Sequence, residues 1–224
     1  MAEHLLESDI ALRWLGRVDY EPTWRDMQRR TEMADDDTAD EIWFLEHPPV
    51  FTMGMNARRE HLLATGDIPV VNIDRGGEVT YHGPGQLVVY PLLRLQRHGL
   101  GVRSLVEGIE RAVIATAAEW GIEARGDRKA PGVYVGQRKL ASIGLRIRKN
   151  RSYHGLALNV AMDLEPFGRI NPCGYEGLEM TQLADLGGPS DLHAVALALA
   201  PHLTAALGLD QRATSTWRQD VSSR

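Results

Sequence analysis

A chain of 224 residues, 43% hydrophobic and 25% charged, can bury a sizeable core as one domain or two small ones. Its formal net charge of −5 argues against a generic nucleic-acid binder, whose affinity comes from Lys and Arg meeting phosphates. One cysteine cannot close an internal disulfide, no basic-then-apolar run opens the chain, and no stretch of about 18 apolar residues suits a bilayer; the expectation is a soluble, cytoplasmic protein with no nucleic-acid or membrane partner.

"YEPTWRDMQRRTEMADDD" has apolar residues at helical spacing with a proline near its start, and the acidic run Asp35 to Asp37 reads as a solvated turn. "DEIWFLEHPPVF" follows as a strand stopped by Pro48 and Pro49, and short strands are expected at "IPVVNIDRGG", "EVTY" and "QLVVYPLL". "SLVEGIERAVIATAAEWG" predicts a helix with Ser104 as N-cap, Glu107 three residues on and Gly121 at its end. Strands return at "GVYVG", "RKLASIGLRI" and "SYHGLALNV". A last helix is expected to start at Ser190, with Pro201 as a kink or break. Strand clusters broken by isolated helices predict an α+β (mixed α/β) fold, with 159–166 as the place where a split into two units is conceivable.

Between Gly121 and Gly155 nine basic residues face two acidic ones, a local balance of +7 on an acidic chain. The plain reading is a solvated strand face; the sharper one is a landing patch for an acidic protein partner, built from Arg125, Arg128, Arg146, Arg148, Lys149 or Arg151.

"RGGEVTYHGPGQ", residues 75 to 86, is richer in glycine than a loop requires. Glycine lets backbone approach a ligand with its N–H groups facing it, though two tight turns around a hairpin strand would also account for it. The stretch is neither a Walker A loop nor a GxGxxG turn opening a helix. The eight histidines form no HxH or HxxxH pair and one cysteine cannot supply a structural zinc site, so no metal is expected. A GxSxG elbow is absent.

Cys173 remains as a candidate nucleophile. Pro172 and Gly174 suit a tight turn, while unmatched cysteines are commonly inert small hydrophobes. A thiol with pKa about 8.5 needs a cation or base beside it to work at neutral pH. Lys139, His82 and His154 are candidates, and spacing does not choose among them.

Taken together, "HPPVFTMG", "RGGEVTYHGPGQ", "APGVYVGQRKLASIGLRIR" and "YHGLALNVAMDLEPFGRINPCGYEG" closely resemble the lipoyl(octanoyl) transferases, in order over residues 41 to 185. The resemblance implies a catalytic domain of the biotin and lipoate protein ligase kind, occupying residues 1–224 as one unit. It implies transfer of an octanoyl group from octanoyl-acyl carrier protein to a lysine of lipoyl domains, those of 2-oxoacid dehydrogenase acyltransferase subunits and of the glycine cleavage H protein. Cys173 is then the acylated nucleophile and Lys139 its partner. The acyl-binding segments fall on Arg75, Gly76, Gly77, Glu78, Val79, Thr80, Tyr81 and His82, on Ser142, Ile143 and Gly144, and on Gly155, Leu156 and Ala157. Because the acyl group arrives activated, no cofactor, ATP or metal is implied. The glycine turns, oriented by His82, would hold the oxyanion, and "LASIG" and "HGLALNV" would wall an apolar slot. Met55-Asn56 departs from the pattern, which calls for a more polar or basic loop at that place. An ATP-dependent lipoate ligase and a non-catalytic carrier-binding module are the rival readings.

Overall fold

Along Glu41–Glu46, Ile42 and Phe44 fall in one core cluster and Trp43 in another with Leu45, and all four are buried. Successive strand residues point to opposite faces, so a sheet containing this strand needs cover on both sides. In the computed structural model, which describes residues 10–127, 130–171, 178–209 and 218–219, three helices provide it.

The elements in chain order are β1 (Ala11–Arg17), α1 (Tyr20–Met33), β2 (Glu41–Glu46), β3 (Val50–Met53), β4 (Val70–Asn72), β5 (Val79–His82), β6 (Gln86–Leu92), α2 (Val102–Ala118), β7 (Arg125–Gly126), β8 (Gly132–Val135), β9 (Arg138–Arg148), β10 (Arg151–Asn159), α3 (Leu192–Ala206) and β11 (Arg218–Gln219). A mixed eight-stranded sheet has the order β11-β1-β2-β6-β10-β9-β8-β7, with β1 parallel to both β2 and β11. A second sheet, β4-β3-β5, carries the glycine-rich stretch. Leu105, Ile109 and Val113 of α2 and Val195, Leu199 and Leu203 of α3 cover one face together with Leu87, Val89 and Leu156. Met27 of α1 meets Trp43, Leu45, Val88, Tyr90 and Tyr153 on the other. Each such large apolar side chain contributes about 1.5–3 kcal/mol when fully buried.

The mixed α/β expectation holds, and several local expectations change. β1 carries no signal noted in the sequence; it is held by parallel pairing with β2. "DEIWFLEHPPVF" is two strands, β2 and β3, in different sheets, because Pro48-Pro49 lets the chain leave one sheet for the other. Ser104 lies inside α2: Gly101 is the N-cap, and Ser104 Oγ accepts from the Gly101 N–H (2.8 Å) and donates to its carbonyl (3.0 Å). Pro201 neither ends nor splits α3, which begins after Asp191, whose carboxylate accepts the Ala194 N–H at 2.6 Å. Beyond 159–166 the chain remains tied to the sheet, with Leu183 N–H donating to Asn159 O (3.1 Å) and α3 in the same apolar cluster as Leu156 and Leu158.

The basic segment does not present one surface. Arg151 is buried on Asp40, Arg148 and Lys149 pair with Glu32, and Arg125 lies over the Tyr134 ring. Arg146 reaches the sulfur of Met55, and Arg128 lies outside the described residues.

Asp40 is fully buried and gathers the Arg94 N–H (2.9 Å), His98 Nε2 (2.7 Å) and the guanidinium groups of Arg97 and Arg151 (3.4 Å each). Burial raises its carboxyl pKa, but the His98 hydrogen bond, the Arg94 N–H and the neighbouring cations outweigh that and leave it below the usual range. Removing one partner of such a cluster strands buried charge, so Asp40→Ala should cost about 3–5 kcal/mol in urea unfolding at pH 7. A depressed pKa contributes stability above the unfolded value, about 3.9, that is lost as pH falls through the folded value. The gap between wild type and Asp40→Ala should therefore narrow below about pH 4, which denaturation curves at a series of acidic pH values will show.

Candidate active site

Antiparallel pairing of β9 with β10 sets Ser142 opposite Ala157, Ile143 opposite Leu156 and Gly144 opposite Gly155. The turn before β5 comes up against the same place, since the Gly76 N–H donates to Leu145 O at 2.9 Å. These three segments, separate in sequence, thereby line one cavity of about 440 Å³, within the range of roughly 300–1,000 Å³ usual for small-molecule sites. Arg75, Gly76, Gly77, Glu78, Val79, Thr80 and His82 line it, as do Ser142, Ile143, Gly144, Gly155, Leu156, Ala157 and Lys139. Tyr81 does not: strand alternation turns its ring to Phe51 (5.4 Å between centroids) and Phe167 (5.5 Å) in a separate cluster. Met55 is exposed, while Asn56 reaches the cavity.

Arg75 is fixed by the segment it faces. Its Nη2 donates to the carbonyl (2.9 Å) and hydroxyl (2.8 Å) of Thr52, and Nη1 to the Gly76 carbonyl at 3.0 Å. Gly54 permits this approach, because a Cβ there would lie 2.3 Å from Gly77 O and 2.7 Å from Arg75 Nη1.

Lys139 is only 1% exposed, with Nζ 5.4 Å over the Tyr134 ring. Its main chain is bracketed by the incoming C-terminal segment: its N–H donates to Glu179 O (2.8 Å), and the Thr181 N–H donates to its carbonyl (3.0 Å). Gly132 packs on its stem, at a φ of 146°, where a Cβ would sit 2.7 Å from Lys139 Cε and 2.5 Å from Ala141 O. Glu110 of α2 accepts the Gly132 N–H at 2.9 Å and so pins this turn to the helix. Cys173 lies outside the described residues.

A polar network closes the other side of the cavity. The His82 ring donates from Nδ1 to Gln86 Oε1 (2.7 Å), and its Nε2 stands 3.4 Å from the Thr52 hydroxyl. Both nitrogens are thus committed to side chains, not to the glycine-turn N–H groups they were expected to orient. Burial first, then the charges of His47 and Arg75, hold His82 well below the ordinary histidine pKa, so it is neutral. His47 donates from Nδ1 to Val18 O (2.7 Å) and accepts the Tyr90 hydroxyl on Nε2 (2.8 Å); burial lowers it to about 4. His154, in a left-handed conformation (φ 57°), donates from Nε2 to Asp74 Oδ1 at 3.2 Å. Asp74 also accepts from Trp24 Nε1 (2.8 Å), Gln28 Nε2 (3.2 Å) and the Tyr153 hydroxyl.

Tyr20, Asp74, Tyr90 and Glu110 are therefore site residues that sequence reasoning missed. Asp74 left one legible trace, an acid immediately before Arg75 in an otherwise apolar strand-to-turn run.

The sequence pattern of the lipoyl protein ligase A/B catalytic domain matches residues 19–204. The chain is similar to an octanoyltransferase of Laribacter hongkongensis, 58% identical over 203 residues that cover 91% of this chain and 98% of the relative. An octanoyltransferase of Stutzerimonas stutzeri is 57% identical over 94% of this chain and 96% of its own. Among solved structures the fold is similar to a lipoate-protein ligase A bound with ATP (TM-score 0.73, 16% identity, 94% of this chain and 88% of that one). It is also similar to a biotin protein ligase of Aquifex aeolicus in complex with biotin and ATP (TM-score 0.57, 15% identity, 88% and 70%). The mixed sheet with its cavity, together with these similarities along nearly the whole chain, places the protein in the lipoyl protein ligase A/B catalytic-domain family, on its octanoyltransferase branch.

Proposed function

We propose that the chain, as one catalytic unit over residues 1–224, transfers octanoyl from octanoyl-acyl carrier protein to the lysine of lipoyl domains, through a thioester on Cys173. The acceptors in this reading are the lipoyl domains of 2-oxoacid dehydrogenase acyltransferase subunits and the glycine cleavage H protein. The observation that carries it is one cavity reaching from Lys139 to the three acyl-binding segments. Burying the methylenes of an eight-carbon chain there, at about 0.8 kcal/mol each, offers roughly 5 kcal/mol.

The atoms balance in two steps. The Cys173 thiolate, favoured by the Lys139 ammonium, adds to the thioester carbonyl; the pantetheine sulfur leaves and takes a proton from Lys139. The acceptor amine then attacks the Cys173 thioester and gives its proton to the now neutral Lys139, leaving an amide and restoring the thiolate–ammonium pair. Support for pairing these residues comes from the segment six residues beyond Cys173, which bonds to the Lys139 main chain at Glu179. The carrier would dock on cations still facing outward, such as Arg125 and Arg146.

Mixing the protein with octanoyl-acyl carrier protein, without ATP, should yield a hydroxylamine-labile octanoyl adduct on Cys173 by intact-mass spectrometry, and Cys173→Ala should show none. An adduct that needs ATP would favour the ligase reading suggested by the ATP-bound structural neighbours.

Lys139→Arg keeps a cation but not a transferable proton. Single-turnover kinetics should show acylation partly retained and transfer to the lipoyl-domain lysine reduced about 10²- to 10⁴-fold, so that acyl-enzyme accumulates. Equal damage to both steps in a folded variant would leave Lys139 with a role of charge or geometry alone.

Glu110→Gln keeps an acceptor for the Gly132 N–H, whereas Glu110→Ala strands it in a buried site at a cost of about 1–3 kcal/mol. The alanine variant should melt lower and lose transfer activity, and glutamine should restore most of both. Indistinguishable glutamine and alanine variants would dissociate Glu110 from the Lys139 turn.

A further inference from the structure

The backbone at Lys139 depends on a residue from another strand. Pairing of β9 with β10 stops where Ala141 faces Leu158. At Lys139, two residues earlier, the segment from Glu179 to Thr181 takes the place of β10, with a parallel bridge between Lys139 and Met180. Asn159, the last residue of β10, holds that segment with both of its amides: its side-chain Nδ2 donates to Thr181 O at 3.0 Å, and its main-chain carbonyl accepts the Leu183 N–H at 3.1 Å.

The donor sense of these contacts is fixed from one end. A peptide carbonyl only accepts, so Nδ2 of Asn159 faces Thr181 and Oδ1 faces Gln86, whose Nε2 donates to it at 3.0 Å. Gln86 stands directly opposite Asn159 in the β6–β10 register, and its Oε1 is then the acceptor for the His82 Nδ1–H at 2.7 Å. His82, Gln86, Asn159, Thr181 and Lys139 are all buried, where a lost partner is not replaced by water. A polar chain thus runs from His82 in the cavity to the main chain of Lys139, and Asn159 joins it to the Glu179–Thr181 segment.

This clamp matters for chemistry because a cation lowers a thiol pKa only at short range and in a held geometry. Glu179 follows Cys173 by six residues, so the segment bound to Lys139 is also the one that leads back to the nucleophile.

We propose that Asn159 is a positioning residue for the Cys173–Lys139 pair: by clamping the Glu179–Thr181 segment onto β9 it holds Lys139 in register with the chain that carries Cys173, and so sets the fraction of Cys173 present as thiolate. The inference rests on Lys139 being the cation that acts on the Cys173 thiol.

Cys173 is the sole cysteine, so iodoacetamide alkylation of the full-length protein, read by intact mass, reports on it alone. The alkylation rate against pH should give wild type a midpoint below the ordinary thiol value of about 8.5. In Asn159→Ala the midpoint should rise towards that value and the rate at pH 7 should fall about ten-fold, with Lys139→Ala as the limit. Asn159→Leu, which keeps the shape and removes both side-chain hydrogen bonds, should behave as the alanine variant does, and thermal melts identify which variants are folded at the assay temperature. Because Asn159 acts through Lys139, adding Asn159→Ala to Lys139→Ala should change the rate by less than about two-fold, whereas a general loosening of the fold would act in full on both backgrounds. A folded Asn159 variant with the wild-type midpoint, or two substitutions whose effects simply multiply, overturns the positioning role while leaving the pair intact. A Lys139→Ala midpoint equal to that of wild type would overturn the Cys173–Lys139 pairing itself, and this inference with it.

Discussion

The Asp74 carboxylate is the constraint on which the site depends. It takes hydrogen bonds from Trp24 and Gln28 on α1 and from Tyr153 and His154 on β10. Burial raises its pKa, but those four donors outweigh it and hold the group far below the usual carboxylate range, so it remains an anion at every physiological pH. One charge thereby joins the helix on one face of the large sheet, the strand that walls the cavity, and the turn carrying Arg75. It also fixes the His154 tautomer, and the strained left-handed backbone at His154 is held by the same contacts.

On that frame the cavity has two chemical characters. Near β9 and β10 it is lined by small residues, and Gly155 lets the strands close up: a Cβ there would lie 2.3 Å from Val89 O. Near α1 it is aromatic and polar, with Tyr20, His82, Tyr90 and His154 together. Burial keeps the three histidines 47, 82 and 154 shifted towards the neutral form, so this end offers hydrogen-bonding dipoles without added positive charge. Lys139 is drawn from a different part of the fold, where Glu110 and Gly132 hold its stem between α2 and β8.

The same backbone plan serves proteins that bind ATP, at 15–16% identity. Fold alone therefore does not separate an acyl transferase from a ligase; the distinction lies in the groups grafted on it. Here the high identity to octanoyltransferases, and not the shared sheet, decides the branch.

The amino-acid sequence by itself indicated most of the element types, because turn chemistry and periodicity are local properties, and its long ordered motifs carried the family resemblance that names Cys173, Lys139 and three segments as site candidates. The apolar runs in "EIWFLE" and "QLVVYPLL" are uninterrupted, as suits strands buried on both faces. It did not determine β1, which exists by pairing with β2, or the fate of the basic segment, whose Arg151 is buried on Asp40, 111 residues away. Nor did it show that Tyr81 turns out of the cavity while His82 beside it turns in. Tyr20 and Asp74 entered the site only through the tertiary structure, since helix α1, the β5 turn and β10 meet there across 50 to 80 residues of chain. Such contacts depend on which faces pack together, and packing is a property of the whole chain that no local spacing encodes.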